Sequence, residues 1–117
     1  MMRIDPHAYA ENFILEDEFQ IRARARGAEV GANDATTGVG SYLRALAHQL
    51  SAQSVVEVGT GSGVGSLWIL SGMITSGTLT SIDDETEHSR IARIAMQDAD
   101  IAPSRYRLIT NSIMDVM

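Results

Sequence analysis

The chain has no cysteine and no lysine, only two prolines and few aromatic residues, 5% of its 117 positions. Without cysteine there is neither a disulfide framework nor a thiolate metal centre. Without lysine there is no Walker A loop, because that loop needs its lysine on the phosphates. Long apolar runs are missing too: serine or glycine interrupts each within a few residues, far short of the roughly 20 apolar residues of a transmembrane helix. Residues 1–10 carry Arg3, Asp5 and His7 and show no apolar signal-peptide core. Cytoplasm is the expected compartment, with no membrane partner. Positive charge is also short. A net charge of −6 and a pI near 4.8 argue against a nucleic-acid partner, since affinity for phosphate backbones comes mostly from clustered Lys and Arg. Arg22, Arg24 and Arg26 stand together, but Glu16, Asp17 and Glu18 precede them, so the stretch reads as a solvated helical face. His7, His48 and His88 are far apart and lack ligand spacing, so surface or satisfied positions are expected for them and no metal site.

What is present suits one domain with an ordinary core: 44% of the residues are hydrophobic. Asp5-Pro6 has the form of a helix start, and helix-permissive sequence follows to about Arg26. Loop formers gather between Gly27 and Gly38, and apolar spacing predicts a helix over about Thr37–Leu50. Ser54–Val58 reads as a strand, apolar enough to be covered on both faces. A helix is expected over about Gly63–Ile74, with Gly77 near its end as a left-handed cap. A strand over Thr78–Ile82 follows, then a helix over about Thr86–Asp100 opened by an Asp84-x-x-Glu87 capping box, then a strand over Tyr106–Thr110. Alternating strands and helices imply an α/β fold with a parallel sheet and helices on both faces.

The chain turns on Val55–Gly65, a β-branched strand that ends in the alternating glycines Gly59, Gly61, Gly63 and Gly65 and opens into Leu67-Trp68-Ile69-Leu70. Strand, tight loop and helix N-terminus together make a nucleotide-type binding loop. Two ligands compete for it, a dinucleotide and S-adenosylmethionine. The dinucleotide fingerprint needs glycine or alanine in its third place, where Val64 or Ser66 falls depending on register, so neither register fits well. Glu57, in an otherwise apolar strand, would repel a pyrophosphate and suit an amino-acid ammonium. Adenosylmethionine is the better reading.

Glu57-x-Gly59-x-Gly61-x-Gly63 followed by Ser81-Ile82-Asp83 resembles the first two motifs of class I adenosylmethionine-dependent methyltransferases. The lead-in Ala23–Gly38 and the phrase Val55–Leu70 are similar more narrowly to the O-methyltransferases related to catechol and caffeoyl-CoA methyltransferases. The resemblance implies a Rossmann-like fold preceded by N-terminal helices, with residues 1–36 as a helical extension of a single domain, 1–117. It implies that Gly59, Thr60, Gly61 and Gly63 approach the cofactor and that Glu57 meets its ammonium. Asp83 would hold the ribose and Asp84 would lie beside adenine. Ser66 or Ser62 would stand in for the serine that relatives often have where this chain has Gly65. Ser112 would touch adenine, and Asn33 and Thr36 would lie in the loop over the cofactor carboxylate. Trp68 is expected in the core.

Three strands are few for this fold, and the chain reads as part of a protein nearer twice its length. By the resemblance, that protein moves a methyl group to a hydroxyl of a small, catechol-like molecule, aided by Mg²⁺ held beyond this chain, and pairs as a homodimer. No catalytic residue is assigned. Two other readings stand beside this one: a nicotinamide-dependent oxidoreductase domain, and a methyltransferase-like module that no longer binds cofactor.

Overall fold

The computed structural model describes residues 15–111. The expected helix start at Asp5-Pro6 and the contact expected of Ser112 lie outside them. The first described helix, α1 (Glu18–Glu29), is capped by Asp17 and runs three residues past the expected end near Arg26. Its carboxylate accepts from the Gln20 N–H at 2.8 Å, and the Gln20 side chain accepts from the Asp17 N–H at 2.9 Å, a reciprocal capping box. Of the three arginines on α1, Arg22 reaches Asp98 at 2.8 Å and Arg24 donates to Glu16 and to the Ala35 carbonyl. The arginine face thus ties α1 to its neighbours as well as meeting solvent.

Helix α2 (Thr37–Gln49) is capped by Thr36, whose hydroxyl accepts from the Val39 N–H. The strand β1 (Ser54–Val58) leads through the glycine loop into α3 (Val64–Gly72). This helix ends earlier than expected. Gly77 is not its left-handed cap; it closes a turn with its N–H on the Ile74 carbonyl, while the Arg105 guanidinium donates to the Leu70 carbonyl of the last helical turn and shares the Ile74 carbonyl. Strand β2 (Thr78–Asp83), helix α4 (Thr86–Asp98), a 3₁₀ turn at Pro103–Arg105 and strand β3 (Tyr106–Thr110) complete the order. The sheet is parallel throughout, in the order β1-β2-β3. No helix among the described residues is long and apolar enough to cross a membrane.

The core lies between the helices and one face of the sheet. Trp68, Leu70, Leu79, Met96 and Val64 are fully buried, and Val55 and Leu108 pack at the margin. Two glycines let α2 and α3 approach closely: a Cβ at Gly40 would lie 2.6 Å from Trp68 Cγ, and one at Gly72 would run into the Arg44 main chain. Arg44 stacks its guanidinium over the same indole at 4.9 Å.

The other sheet face differs from the expectation of a strand covered on both sides. Side chains alternate across a strand, and while Val55 and Glu57 point inward, Val56 and Val58 are 65% and 52% exposed. On the same face Ile82 of β2, the register partner of Val58, is only 5% exposed.

Candidate cofactor site

The site is built where β1 and β2 end. In the loop between β1 and α3, Gly59, Gly61 and Gly63 all have positive φ, at 88°, 56° and 96°. Two of them are also required by space. Gly61 runs so close to Asp34 that a Cβ would sit 2.5 Å from its Oδ1, and Gly63, the left-handed cap of α3, has Ala92 and Ala95 of α4 within 3.2 Å of where a Cβ would be.

Two carboxylates brace this loop from opposite sides. Asp83, at the tip of β2 and 5% exposed, accepts the Gly61 N–H on Oδ2 at 3.0 Å and the Glu85 N–H on Oδ1 at 2.9 Å. Burial pushes its carboxyl up, but these two N–H groups and the His88 ring outweigh that and hold it below the ordinary aspartate range. Asp34, before α2, accepts the Ser62 N–H at 2.9 Å and the Ser62 hydroxyl at 2.5 Å. Reading the sequence for ligands missed Asp34; the available signal was its place in the loop-former cluster, where Asp commonly bonds backbone. Asp34→Ala strips both partners from Ser62, itself fully buried, and is expected to destabilise the fold by about 1–3 kcal/mol, measured by urea denaturation.

Glu57 sits beneath the loop. Its Oε1 accepts from the Ser66 hydroxyl at 2.5 Å and the Ser81 hydroxyl at 2.7 Å, and Thr60 Oγ1 bonds Ser81 Oγ at 2.7 Å. Its Oε2 faces Gly65, where a Cβ would lie only 2.8 Å away. Burial raises the Glu57 carboxyl above its ordinary range; the Ser66 and Ser81 bonds oppose this, and the nearby Asp34 and Asp83 charges add to it. A buried acid destabilised in its charged form and flanked by other acids either keeps its proton or takes up a cation.

Asn33, Gly59, Gly61, Asp83, Asp84, Glu85 and His88 line a cavity of about 230 Å³ at this end of the sheet. The structure thus gathers Asn33, Gly59, Gly61, Asp83 and Asp84 of the expected residues around one space; Gly63 closes the loop without lining it, and Glu57 lines a separate cavity between α2 and β1. Thr60 and Ser66 depart from expectation: they are 2% and 0% exposed, and their hydroxyls serve the network around Glu57 rather than the cavity. Thr36 is spent as a helix cap. The Asp84-x-x-Glu87 capping box does not form. Glu85 is the residue before α4, its N–H is taken by Asp83, and Glu87 pairs with Arg90. His88, expected at a surface or satisfied position, lines the cavity with its side chain 14% exposed.

A parallel sheet whose first strand enters a glycine loop, and whose second ends in a carboxylate bonded to that loop, is the arrangement of a Rossmann-like nucleotide-binding fold. No family model matches the chain. It is 49% identical over 110 residues to the protein named "Putative O-methyltransferase" of Mycobacterium sp. (strain KMS), an alignment covering 94% of this chain and 50% of that one. A crystal structure of a Corynebacterium glutamicum protein superposes with a TM-score of 0.84 at 31% identity, over 94% of this chain and 52% of that chain. The O-methyltransferase from Bacillus cereus, solved in complex with SAH, has the same fold, with a TM-score of 0.84 at 21% identity over 93% of this chain and 50% of that chain. The chain spans about half the length of the curated relatives it matches, and in that span it belongs to this family of bacterial O-methyltransferases.

Proposed function

We propose that the protein binds S-adenosylmethionine at the β1–β2 end of the sheet and serves transfer of its methyl group to a hydroxyl of a small molecule. One observation carries the reading: two carboxylates, Glu57 and Asp83, flank a positive-φ glycine loop, the first pushed above its ordinary range chiefly by burial and the second held below it by the N–H groups and the His88 ring that bond it. The methionine ammonium answers the first. The ribose diol answers the second, since a carboxylate accepts two O–H donors. The missing side chain at Gly65 leaves Glu57 Oε2 without a covering group, a cradle that a Cβ would fill.

In this reading Gly59, Gly61 and Gly63 bring the backbone against the cofactor, Glu57 and Asp83 fix its two ends, and Asp84 and Asn33 wall the adenosine side. Thr60, Ser66 and Ser81 orient Glu57. When bound, the cofactor supplies a methyl group on a sulfonium, open to in-line displacement by an oxygen nucleophile. The contribution of this chain is to hold the donor fixed at both ends, so that orientation rather than chance sets the reacting geometry. The acceptor is a small-molecule hydroxyl, catechol-like by the family resemblance, and Mg²⁺ belongs to the proposal only through residues other than those described. A cytoplasmic homodimer is the corresponding working form. SAH bound to the Bacillus cereus relative and the shared fold support the cofactor assignment.

Calorimetric titration of adenosylhomocysteine, with NAD as competitor, tests this. Binding that NAD leaves intact and that Asp83→Ala weakens by about 1–3 kcal/mol is expected, the scale of losing a charge-assisted hydrogen bond. Displacement by NAD, or no binding by the unaltered protein, would overturn the proposal.

A further inference from the structure

His88 has no part in the function proposed above, yet it occupies the carboxylate on which that function depends. A carboxylate offers about four lone-pair positions. On Asp83 three are taken: Oδ1 by the Glu85 N–H at 2.9 Å, and Oδ2 by the Gly61 N–H at 3.0 Å and by His88 Nδ1 at 3.2 Å. A cis-diol brings two O–H donors, one more than the single position left. Something must leave. The two N–H groups are fixed by the backbone of the loop and of the α4 entry, whereas the imidazole turns on two side-chain torsions.

We infer that His88 is a displaceable competitor for the Asp83 carboxylate, giving up Oδ2 to a ribose hydroxyl, and that nucleoside binding is thereby coupled to a proton on His88. The inference rests on the cofactor reading above. The coupling follows from what faces the ring. His88 Nε2 lies 3.3 Å from Glu85 Oε2, so both ring nitrogens meet carboxylate oxygens, which only accept. The imidazolium satisfies both contacts by donating twice, and the neutral ring satisfies one. A proton on His88 therefore fastens it to Asp83 against the diol, and loss of that proton loosens it. The charged groups lining the cavity around the ring are Asp83, Asp84 and Glu85; Asn33, Gly59 and Gly61 add none, and Glu87, the preceding residue, is engaged by Arg90.

The test compares the affinity for adenosylhomocysteine of the unaltered protein and of His88→Ala across the histidine range, about pH 5.5 to 8. Affinity of the unaltered protein is expected to rise with pH, by at most about tenfold per unit for one linked proton. His88→Ala is expected to bind at least as tightly at the acid end and to show a flatter profile. Glu57 contributes to both profiles alike, so the difference between them belongs to His88. An equal slope in both proteins, or weaker binding by His88→Ala throughout, overturns the inference.

A second measurement needs no variant. Adenosine is expected to move the His88 imidazole resonances more than 2′-deoxyadenosine does, because one hydroxyl fits the free position and two do not. Equal responses overturn the displacement. Binding of adenosine but not of adenosylhomocysteine, with this difference seen, would sink the methyl-donor reading and keep the His88 coupling; binding of neither overturns both.

Discussion

Gly72→Ala is expected to lower stability by about 3 kcal/mol or more, although alanine in place of glycine ordinarily favours a helix by roughly 0.5–1 kcal/mol. The sign reverses because of what the new methyl group meets. It would lie 2.9 Å from the Arg44 carbonyl carbon and 3.0 Å from its Cα, closer still to the carbonyl oxygen, and all three are main-chain atoms of α2 that no rotamer change can move aside. Relief requires separating α2 from α3, and that unpacks Trp68, which lies 1% exposed against Gly40 at the same crossing. Thermal unfolding is the measurement, and a fall of more than roughly 10 °C is expected for a chain of this size. Gly31→Ala is the control. Gly31 has φ of 72° and nothing within 4 Å of the place a methyl group would take, so only the backbone penalty of about 1 kcal/mol applies there. Equal losses at the two positions would refute the packing argument.

Glu57→Gln is expected to separate stability from binding. The amide keeps a carbonyl oxygen for the Ser66 and Ser81 hydroxyls, so the network under the loop survives. What goes is a buried negative charge beside Asp34 and Asp83. The folded protein holds the Glu57 carboxyl above its ordinary range, chiefly through burial. Stability from this group is therefore full below the unfolded-state value and is lost as pH rises through the raised folded value. Glu57→Gln carries no such loss. Its advantage in thermal stability should appear at neutral pH and vanish toward acid, where the unaltered protein is also uncharged at this position. Binding moves the other way: without its counter-charge the ammonium should cost adenosylhomocysteine about 1.5–3 kcal/mol, roughly 10- to 140-fold in affinity. The unaltered protein should also release protons on binding near the raised Glu57 value, visible as a buffer-dependent enthalpy in calorimetry. Unchanged affinity in Glu57→Gln would remove this residue from the proposed ammonium site.

Local chemistry made much of this legible. Ser54–Val58 and Tyr106–Thr110 form strands over the residues that their β-branched and aromatic content marks out. The loop Gly59–Gly63 turns where its glycines stand, since positive φ at three alternating positions is open to little else. Trp68 is in the core, as an apolar helix packed on one face of the sheet requires. Boundaries fared less well. Gly77 stands near the end of α3 where a cap belongs, but Arg105, from a turn 28 residues further on, donates to the Leu70 carbonyl of the last helical turn and to the Ile74 and Gly77 carbonyls after it. The Asp84-x-x-Glu87 pattern does not cap α4, because the helix has Glu85 rather than Asp84 at its N-cap position and Glu87 pairs with Arg90.

By itself the sequence determined the α/β order, the glycine loop and the two acids, Glu57 and Asp83, that stand at its strand ends. Each depends on residue type and spacing along one stretch of chain. Only the tertiary structure decided which hydroxyls face the cofactor space and which hold Glu57, that Asp34 braces the loop from 28 residues away, and that His88 shares a carboxylate with Gly61. Those facts follow from how α1, α2 and α4 pack around the loop. A hydrogen bond between distant segments depends on that packing to about an ångström, and no local pattern in the chain encodes it.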